Sequence, residues 1–433
     1  MATRFEPSGP LRGSLRPPAD KSISHRAALI AAMGEGQAEI ENYLDSADTR
    51  STLAAVEKLG ARIDGNRRNG IGPTLRIEGV GLRGARPARI DVGNAGTLLR
   101  LLPGWLAGQP SGSWTLDGDT SIRRRPVDRV AEPLGEMGGR LRCREEKLPP
   151  LEIEAAPLEG LSYEMPIASA QVKSCLLFAG LLAEGETWVH EPARSRDHTE
   201  RMLAAAGADV AWLHGGIAVR PTKRIEPESL AVPADFSSAA FFVVAALLVP
   251  GSDVALEGVG TNPTRTGLLT ILERMGAEIE VEPEGERGGE PIGVIRARAS
   301  ELRGTEVGGE EIPLAIDELP LVALAACFAE GTTTIRDAAE LRRKESDRVA
   351  TTCEALRALG AEVEAREDGM AIEGAGGPRG GSVSSHGDHR IAMLGAVAGL
   401  ASREGVAVDG MEAAAVSYPG FESDLASLAQ GGE

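Results

Sequence analysis

One pattern recurs six times along the chain: a polar or charged head, an apolar run of helical length and a short β-prone segment. The runs, of which AALIAAMGEG, CLLFAGLLAEG and AAFFVVAALLVPG are examples, are apolar on nearly every face. A helix that is apolar all round is buried, and runs of this length are too short to span a bilayer. The pattern therefore predicts six buried helices whose polar heads occupy fixed positions.

A second pattern accompanies the first: an amphipathic helix, a glycine-containing turn and an alternating strand. Five clear copies and a degraded sixth are present, at residues 54–63, 132–141, 201–210, 270–279, 354–363 and 424–430. Glycine after the last apolar turn of a helix is a C-cap signal, and β-branched residues after it favour a strand. We therefore predict an α/β fold built from six similar units.

The start of the chain resembles its middle, because residues 15–22 and 230–237 both contain Pro-Ala-Asp. Together with the sixfold pattern this indicates a duplication into two similar domains of three units each. We expect the first domain at residues 15–230 and a discontinuous second domain at 1–14 plus 231–433, with two crossovers that could act as a hinge. The alternative is that the tripeptide recurs by chance.

The formal net charge of −18 disfavours nucleic acid and anionic membranes as partners, because both require a broad basic surface. Any anion site must therefore be a local cluster of Arg and Lys. The four cysteines have no CxxC spacing, and the N-terminus has no apolar segment typical of a secretory signal. We expect reduced, structural thiols in a cytoplasmic protein, and no metal centre or cofactor.

The six heads carry capping residues, and four of them also carry long cations: Lys21–Arg26, Asn94–Arg100, Ser169–Lys173, Asp235–Ser238, Asp317–Glu318 and Gly387–Arg390. Helix N-termini present free N–H groups and a positive dipole end, so cations there are unfavourable unless an anion binds. The fourth head carries no cation. For any single head the alternative is ordinary helix capping beside solvated basic loops. The clustering of cations in several heads favours anion binding.

Two further segments carry candidate acid and base groups. If residues 344–348 are helical, Lys344, Glu345 and Arg348 share one face, although a salt-bridged surface helix is the alternative. Asp317 lies between two apolar stretches, where a carboxylate without a role is costly to bury. Its alternative role is that of a helix N-cap.

The chain resembles the 5-enolpyruvylshikimate-3-phosphate synthase family over nearly its whole length. The strings that carry the resemblance are Asp20-Lys21-Ser22-x-Ser24-His25-Arg26-Ala27, Gly93-Asn94-Ala95-Gly96-Thr97-x-x-Arg100, Arg125-Pro126, Ser169-Ala170-Gln171-Val172-Lys173-Ser174, Lys344-Glu345-Ser346-Asp347-Arg348 and Gly387-Asp388-His389-Arg390-x-Ala392-Met393. The resemblance implies two domains, each of three βαβαββ units with buried parallel helices, in an inside-out α/β barrel. It also implies an active site in an interdomain cleft that closes on the substrates.

The implied reaction transfers the enolpyruvyl group of phosphoenolpyruvate to the 5-hydroxyl of shikimate 3-phosphate and releases phosphate, as in the shikimate pathway to chorismate. The implied contacts of shikimate 3-phosphate are Lys21, Ser22, Arg26, Ser169, Ala170, Gln171, Ser195, Arg196, Asp317 and Lys344. Those of phosphoenolpyruvate are Lys21, Asn94, Gly96, Arg125, Gln171, Arg348 and Arg390. Asp337 falls where the family has a polar contact residue.

The same resemblance implies three catalytic residues. We expect Glu345 to protonate the methylene carbon and Asp317 to accept the proton of the 5-hydroxyl. Lys21 would act as an electrostatic partner and proton relay between the two ligands. Guanidinium groups suit phosphoenolpyruvate because they bind carboxylate and phosphate in a bidentate manner.

The chain departs from the family pattern at several places. A Lys that some members carry near residue 416 is absent from Val416–Pro419, and Asp20 stands where Pro-Gly-Ser is common. Gly96 predicts sensitivity to the family's inhibitor glyphosate. Leu101 stands where Pro is frequent in the family. We expect a monomer that binds neither nucleic acid nor membrane.

Two alternative functions remain. A UDP-N-acetylglucosamine enolpyruvyl transferase typically has Lys-Asn in the first head and often a loop cysteine, whereas this chain has Ser22 and no cysteine between residues 105 and 142. A non-catalytic scaffold on the same fold would be expected to lose Lys21, Asp317 or Glu345, which are all present.

Overall fold

The computed structural model describes residues 2–66 and 72–431. Residues 67–71 and the chain ends Met1, Gly432 and Glu433, which the expected domain bounds included, lie outside the described residues. The chain forms two compact units. The N-terminal unit comprises Ala19–Pro233 and Glu286–Glu290, and the C-terminal unit comprises Met1–Pro18, Ala234–Gly285 and Pro291–Glu433.

The α-helices of the described residues are α1 (Lys21–Met33), α2 (Ala47–Lys58), α3 (Gly96–Ala107), α4 (Asp128–Glu136), α5 (Ala170–Gly180), α6 (His198–Ala205), α7 (Phe236–Leu248), α8 (Gly267–Arg274), α9 (Glu311–Ala315), α10 (Leu319–Phe328), α11 (Arg348–Ala358), α12 (His389–Ala401) and α13 (Phe421–Gln430). Short 3₁₀-helices span Ile122–Arg124, Ala339–Arg343 and Met411–Val416.

The strands of the described residues are β1 (Thr3–Phe5), β2 (Arg12–Leu15), β3 (Gln37–Glu41), β4 (Arg62–Asn66), β5 (Thr74–Glu78), β6 (Ala88–Asp91), β7 (Ser113–Asp117), β8 (Arg140–Arg144), β9 (Leu148–Glu154), β10 (Ser162–Glu164), β11 (Thr187–His190), β12 (Val210–Leu213), β13 (Gly216–Val219), β14 (Ser229–Ala231), β15 (Asp253–Gly260), β16 (Glu278–Arg287), β17 (Glu290–Arg298), β18 (Glu306–Val307), β19 (Glu330–Ile335), β20 (Glu362–Arg366), β21 (Gly369–Ala375), β22 (Gly381–Ser384) and β23 (Val406–Asp409).

The predicted buried helices are confirmed. They are α1, α3 and α5 in the N-terminal unit and α7, α10 and α12 in the C-terminal unit, and each is buried along nearly its whole length. Each set of three lies at the centre of its own hydrophobic core. The close approach of α3 and α5 requires a glycine, because a Cβ on Gly104 would lie 1.9 Å from the carbonyl oxygen of Cys175.

The predicted amphipathic helices are α2, α4, α6, α8, α11 and α13, and their turn chemistry is also as expected. The glycines after the first five of these helices adopt the left-handed conformation, with φ values between 85° and 111°: Gly60, Gly138, Gly207, Gly276 and Gly360. Glycine reaches these angles without steric cost, so it ends each helix and sends the chain into the next strand.

Six small sheets repeat one arrangement. In four units the strand before the buried helix pairs in parallel with the strand after it: β6 with β7, β10 with β11, β18 with β19, and β22 with β23. In the other two units the pairing is exchanged, because β2 pairs with β15 and β14 pairs with β3. Each half of the chain thus donates one strand to a sheet of the other half.

This strand exchange explains two of the three places where the unit bounds differ from the expected domain bounds. Residues 15–18 follow β2 into the C-terminal unit, and residues 231–233 follow β14 into the N-terminal unit. Glu286–Glu290, expected in the second domain, belongs to the N-terminal unit, where Glu290 Oε1 lies 2.7 Å from His198 Nδ1.

Within the described ranges, no helix has both the length and the apolar composition that a membrane crossing requires. All four cysteines are free, and Cys175, Cys327 and Cys353 are buried.

Candidate active site

The polar heads lie at helix N-termini, as predicted, and their capping side chains are acids and a serine rather than the cations. Asp20 accepts from Ile23 N at 2.8 Å. The corresponding caps of α5, α7 and α12 are Ser169, Asp235 and Asp388. Capping therefore accounts for the short polar residues of the heads, including Asp20 in place of the family serine, but leaves Lys21, Arg26 and Arg390 without a capping role.

In the first head, Lys21 and Arg26 point to different partners. Lys21 Nζ lies 3.2 Å from Asp48 Oδ2 on α2. The buried Arg26 guanidinium donates to Thr199 Oγ1 at 2.7 Å, to Ser174 Oγ at 3.0 Å and to the carbonyl oxygen of Ser22 at 3.0 Å. Arg26 thus joins the first turns of α1, α5 and α6.

Arg26 remains a cation at neutral pH. Burial lowers the pKa of Arg26 to about 10, and the nearby positive charge of Arg196 lowers this pKa as well. The structure therefore brings Ser22, Arg26 and Arg196 into one region of the N-terminal unit, where the carboxylates of Glu200, Asp20 and Glu290 also act on Arg26.

The second and third heads meet at Gln171. Its Oε1 accepts from Arg100 Nη1 at 3.1 Å, and its Nε2 donates to Thr97 Oγ1 at 3.2 Å. Arg125 Nη2 donates to Asn94 Oδ1 at 3.1 Å, and a Cβ on Gly96 would lie 2.9 Å from Arg125 Nη1 and 3.4 Å from Arg100 Nη1. Asn94, Gly96, Arg125 and Gln171, expected to contact one ligand, therefore line one region together with Arg100. Ser169 and Ala170 begin α5 beside Gln171.

Lys173 does not line this region as an unpaired, accessible cation. Its Nζ lies 2.7 Å from both Glu191 Oε2 and Glu200 Oε1, and only 2% of the side chain is exposed. Burial alone would lower the pKa of Lys173, but the two carboxylates outweigh it and raise this pKa. Glu191 also accepts from Ser195 Oγ, and Lys173 Nζ lies 3.4 Å from the Ser195 carbonyl oxygen. Lys173 therefore stabilises the loop that contains Ser195.

In the C-terminal unit, three cations surround Asp317. Lys344 Nζ and Arg348 Nη1 lie 3.2 and 3.0 Å from its Oδ1, and Arg390 Nη2 lies 3.9 Å from its Oδ2. The N-cap of α10 is Glu318, so the N-cap alternative for Asp317 is wrong. The Asp317 side chain is 12% exposed and serves the cation cluster.

Arg348 joins three carboxylates. Besides Asp317, it binds Glu345 Oε2 at 2.5 Å and Asp388 Oδ2 at 2.8 Å, and its side chain is 1% exposed. Burial alone would lower the pKa of Arg348, but Asp388, Glu345 and Asp317 raise it above its ordinary value. The guanidinium thus holds both predicted catalytic carboxylates, Asp317 and Glu345.

The helix expected over residues 344–348 is not present. The 3₁₀-helix ends at Arg343, Lys344 is extended, and α11 begins at Arg348 because Asp347 caps it by accepting from Ala350 N at 3.0 Å. Lys344, Glu345 and Arg348 nevertheless converge, through Asp317 and through the ion pair of Arg348 with Glu345. The surface-helix alternative fails because Arg348 is buried.

Asp337 takes part in a turn. Its φ is 60°, and its Oδ2 accepts from Gly309 N at 2.9 Å. In the segment Val416–Pro419, where the family Lys is absent, the hydroxyl of Tyr418 donates to Asp424 Oδ2 at 2.7 Å.

Sequence reasoning missed the carboxylates that hold the cations. Asp48 and Glu200 come from the amphipathic helices α2 and α6, Glu191 follows β11, and Glu318 and Asp388 were recognised only as parts of heads. The available signal for four of them was a position at a helix N-terminus, which capping explains equally well, and Glu191 had no such signal. In the described part of the chain, no group of three or more His, Cys, Asp and Glu side chains could hold a metal ion.

This fold and these sites are typical of a class: α/β enzymes in which cations and carboxylates gather at the N-termini of buried helices, where anions can bind. The family model for EPSP synthase (3-phosphoshikimate 1-carboxyvinyltransferase) matches residues 5–425. The chain belongs to the EPSP synthase family.

Relatives and solved structures agree with this assignment. The 3-phosphoshikimate 1-carboxyvinyltransferases of Gloeobacter violaceus and Thermus thermophilus are each 50% identical over 433 and 429 residues, covering 99% of this chain and 99% of each relative. The solved EPSP synthase of Acinetobacter baumannii matches with a TM-score of 0.86 and 41% identity, covering 98% of this chain and 97% of that one. These matches do not favour the UDP-N-acetylglucosamine alternative.

Proposed function

We propose that this chain transfers the enolpyruvyl group of phosphoenolpyruvate to the 5-hydroxyl of shikimate 3-phosphate, giving 5-enolpyruvylshikimate 3-phosphate and phosphate. The observation that carries the proposed mechanism is that Arg348 binds two carboxylates at once, Asp317 at 3.0 Å and Glu345 at 2.5 Å. An addition followed by an elimination needs one group to donate a proton and another to accept one. Family membership supplies the substrate class.

Shikimate 3-phosphate is assigned mainly to the N-terminal unit. Its phosphate would bind near Arg26, which contacts Ser174 of α5 and Thr199 of α6; Arg196 is close to Arg26, and the Ser195 carbonyl oxygen accepts from Lys173 of α5. Ser22, Ser169, Ala170 and Gln171 complete this set, and Lys344 and Asp317 would contact the ring hydroxyls. Arg26 supports the assignment because it remains charged although it is buried.

Phosphoenolpyruvate is assigned to Arg125, Arg348 and Arg390, with Lys21, Asn94, Gly96 and Gln171. Several arginines match a ligand that carries both a carboxylate and a phosphate, because each guanidinium can donate two parallel hydrogen bonds. Gly96 permits close approach of the ligand, since any Cβ there would meet Arg125. We propose on the same ground that glyphosate inhibits the enzyme.

The chemical step moves two protons in opposite directions. Glu345 gives a proton to C3 of phosphoenolpyruvate while the 5-hydroxyl oxygen bonds to C2 and loses its proton to Asp317. The tetrahedral adduct then returns a proton from the same methyl carbon to Glu345, and the C2–O bond to phosphate breaks, which restores the double bond; the proton held by Asp317 leaves with the phosphate. Glu345 is the more exposed carboxylate, 30% against 12% for Asp317, which suits a group that must exchange protons. Lys21 and the arginines stabilise the developing charge.

We further propose a cytoplasmic monomer. Four free cysteines fit a reducing compartment, where disulfides are rare.

The test is phosphate release from phosphoenolpyruvate with either shikimate 3-phosphate or UDP-N-acetylglucosamine as acceptor. We expect activity with the first acceptor alone, and activity only with the second, or with neither, would overturn the proposal. Glu345→Gln should abolish most of the rate, whereas Glu367→Gln, at an exposed turn of the same unit, is the matched control and should retain it.

A further inference from the structure

The fourth head, Asp235–Ser238, carries no cation, yet its Ser237 makes a buried contact with the fifth head. Ser237 Oγ donates to Oε1 of Glu318, the N-cap residue of α10. The same Oε1 lies 3.2 Å from Nη1 of Arg390 in the sixth head. Ser237, Glu318 and Arg390 therefore form a chain that takes one residue from the N-terminus of each of the three buried helices α7, α10 and α12.

Glu318 is an unusual residue to find at this place. Its side chain is 0% exposed, and its second oxygen, Oε2, is buried without a hydrogen-bond partner among the described residues. A buried carboxylate is costly unless a cation pairs with it, and a neutral residue of similar shape would fill the space at lower cost. The ion pair with Arg390 therefore explains why a charged residue stands at position 318.

Arg390 needs such a partner because it lies one residue into α12, at the positive end of the helix dipole. Its Nη1 is fixed by Glu318 and by the Asp317 carbonyl oxygen at 3.1 Å. The Arg390 side chain is 11% exposed, whereas that of Arg348 is 1% exposed. The hydrogen bonds of Arg390 to Glu318 and to the Asp317 carbonyl oxygen are made through Nη1, and its side chain is more accessible than that of Arg348.

We propose that Glu318 and Ser237 are positioning residues for phosphoenolpyruvate binding: Ser237 orients the Glu318 carboxylate, and Glu318 orients the Arg390 guanidinium toward the carboxylate of the ligand. The proposal rests on the proposed function, in which Arg390 binds phosphoenolpyruvate. Neither positioning residue touches the substrate. Both act before the chemical step, so their loss weakens binding of one substrate and leaves the rate at saturation unchanged.

The experiment is steady-state kinetics of Glu318→Gln and Ser237→Ala with both substrates varied. Glu318→Gln keeps the size of the side chain and removes its charge, so the KM for phosphoenolpyruvate should rise about tenfold or more. Ser237→Ala removes only the orienting hydroxyl and should raise the KM for phosphoenolpyruvate about threefold. The KM for shikimate 3-phosphate and kcat should stay within about twofold of wild type.

Ser238→Ala is the matched control, because Ser238 is the neighbouring buried serine of the same helix and is not the donor to Glu318. It should leave all three constants unchanged. A double-mutant cycle adds a readout that a merely structural role would not move: in an Arg390→Lys background, Ser237→Ala should have almost no further effect on the KM for phosphoenolpyruvate.

An unchanged KM for phosphoenolpyruvate in both variants would overturn the proposal. A fall in kcat and in thermal stability together with a rise in both KM values would also overturn the proposal, because that pattern marks a structural role. If Glu318→Gln does not fold, Ser237→Ala decides the question. If the wild-type protein turns over neither acceptor, the proposed function fails, and calorimetric affinity for phosphoenolpyruvate decides this inference separately: equal affinity in wild type and Ser237→Ala, or none in wild type, overturns it.

Discussion

His25 should make the stability of the N-terminal unit depend on pH. The imidazole is fully buried in α1, and its Nδ1 lies 2.6 Å from Thr52 Oγ1. Burial lowers the pKa of His25 from 6.5 to about 4, and the positive charges of Lys21 and Arg26 contribute to the lowering. The folded protein therefore keeps this imidazole neutral at a pH where the unfolded chain protonates it.

The magnitude follows from the difference in proton binding. Because the pKa of His25 is lower in the folded state, the contribution of the neutral imidazole to the free energy of unfolding is fully present above pH 6.5. This contribution is lost as the pH falls toward 4. The complete loss amounts to about 3 kcal/mol, of which about 2 kcal/mol falls between pH 7.5 and pH 5. This is a large share of the stability of an ordinary domain.

The assay is equilibrium urea unfolding followed by tryptophan fluorescence at pH 7.5 and pH 5. All four tryptophans lie in the N-terminal unit, at Trp105, Trp114, Trp188 and Trp212, so the signal reports the unit that contains His25. The comparison uses His25→Asn, which has no titrating ring. Its deficit in free energy of unfolding relative to wild type should shrink by about 2 kcal/mol at pH 5.

The matched control is His214→Gln, at an exposed turn of the same unit. This variant should follow the wild-type curve at both pH values, because an exposed ring is hydrated in the folded and unfolded chain alike. If wild type and His25→Asn lose stability in parallel between pH 7.5 and pH 5, the reasoning about burial of the imidazole is refuted.

Three further predictions concern the proposed site and the buried ion pairs of Lys173 beside it. Asp317→Asn and Glu345→Gln should each lower kcat by about 10² to 10⁴-fold with much smaller changes in KM, as measured by phosphate release; near wild-type kcat in either variant would refute its role. Gly96→Ala should raise the KM for phosphoenolpyruvate and weaken glyphosate inhibition, because the new methyl would displace the Arg125 guanidinium that lies 2.9 Å away; inhibition curves measure this, and unchanged values would contradict it. Lys173→Met should destabilise the N-terminal unit by about 3 to 5 kcal/mol, because it leaves two buried carboxylates without their cation; the fluorescence assay measures this, and a loss below about 1 kcal/mol would count against the ion-pair network.

The repeating elements could be predicted because their causes are local. A run apolar on every face is a buried helix wherever it lies, and α7 and α10 follow that rule. Glycine beyond the helix end permits the left-handed turn at Gly60 or Gly360 whatever the surroundings are. These signals depend on a few adjacent residues, so they can be read without knowing the tertiary structure.

The strand exchange and the contacts of the site could not be predicted in this way. Nothing local in β2 distinguishes pairing with β15 from pairing with the strand after its own helix, since parallel partners lie far apart in sequence. The prediction of a helix over residues 344–348 was wrong for a related reason. The N-cap at Asp347 and the ion pair of Lys344 with Asp317 outweigh the local helix propensity.

The sequence by itself determined the six heads, the buried helices behind them and the family. Only the tertiary structure decided which carboxylate holds which cation. Arg348 bonds to Asp388 across 40 positions of the chain, and Arg390 pairs with Glu318 across 72. Such pairs form because packed parallel helices bring their N-termini together, and burial makes each unpaired charge too costly to leave alone.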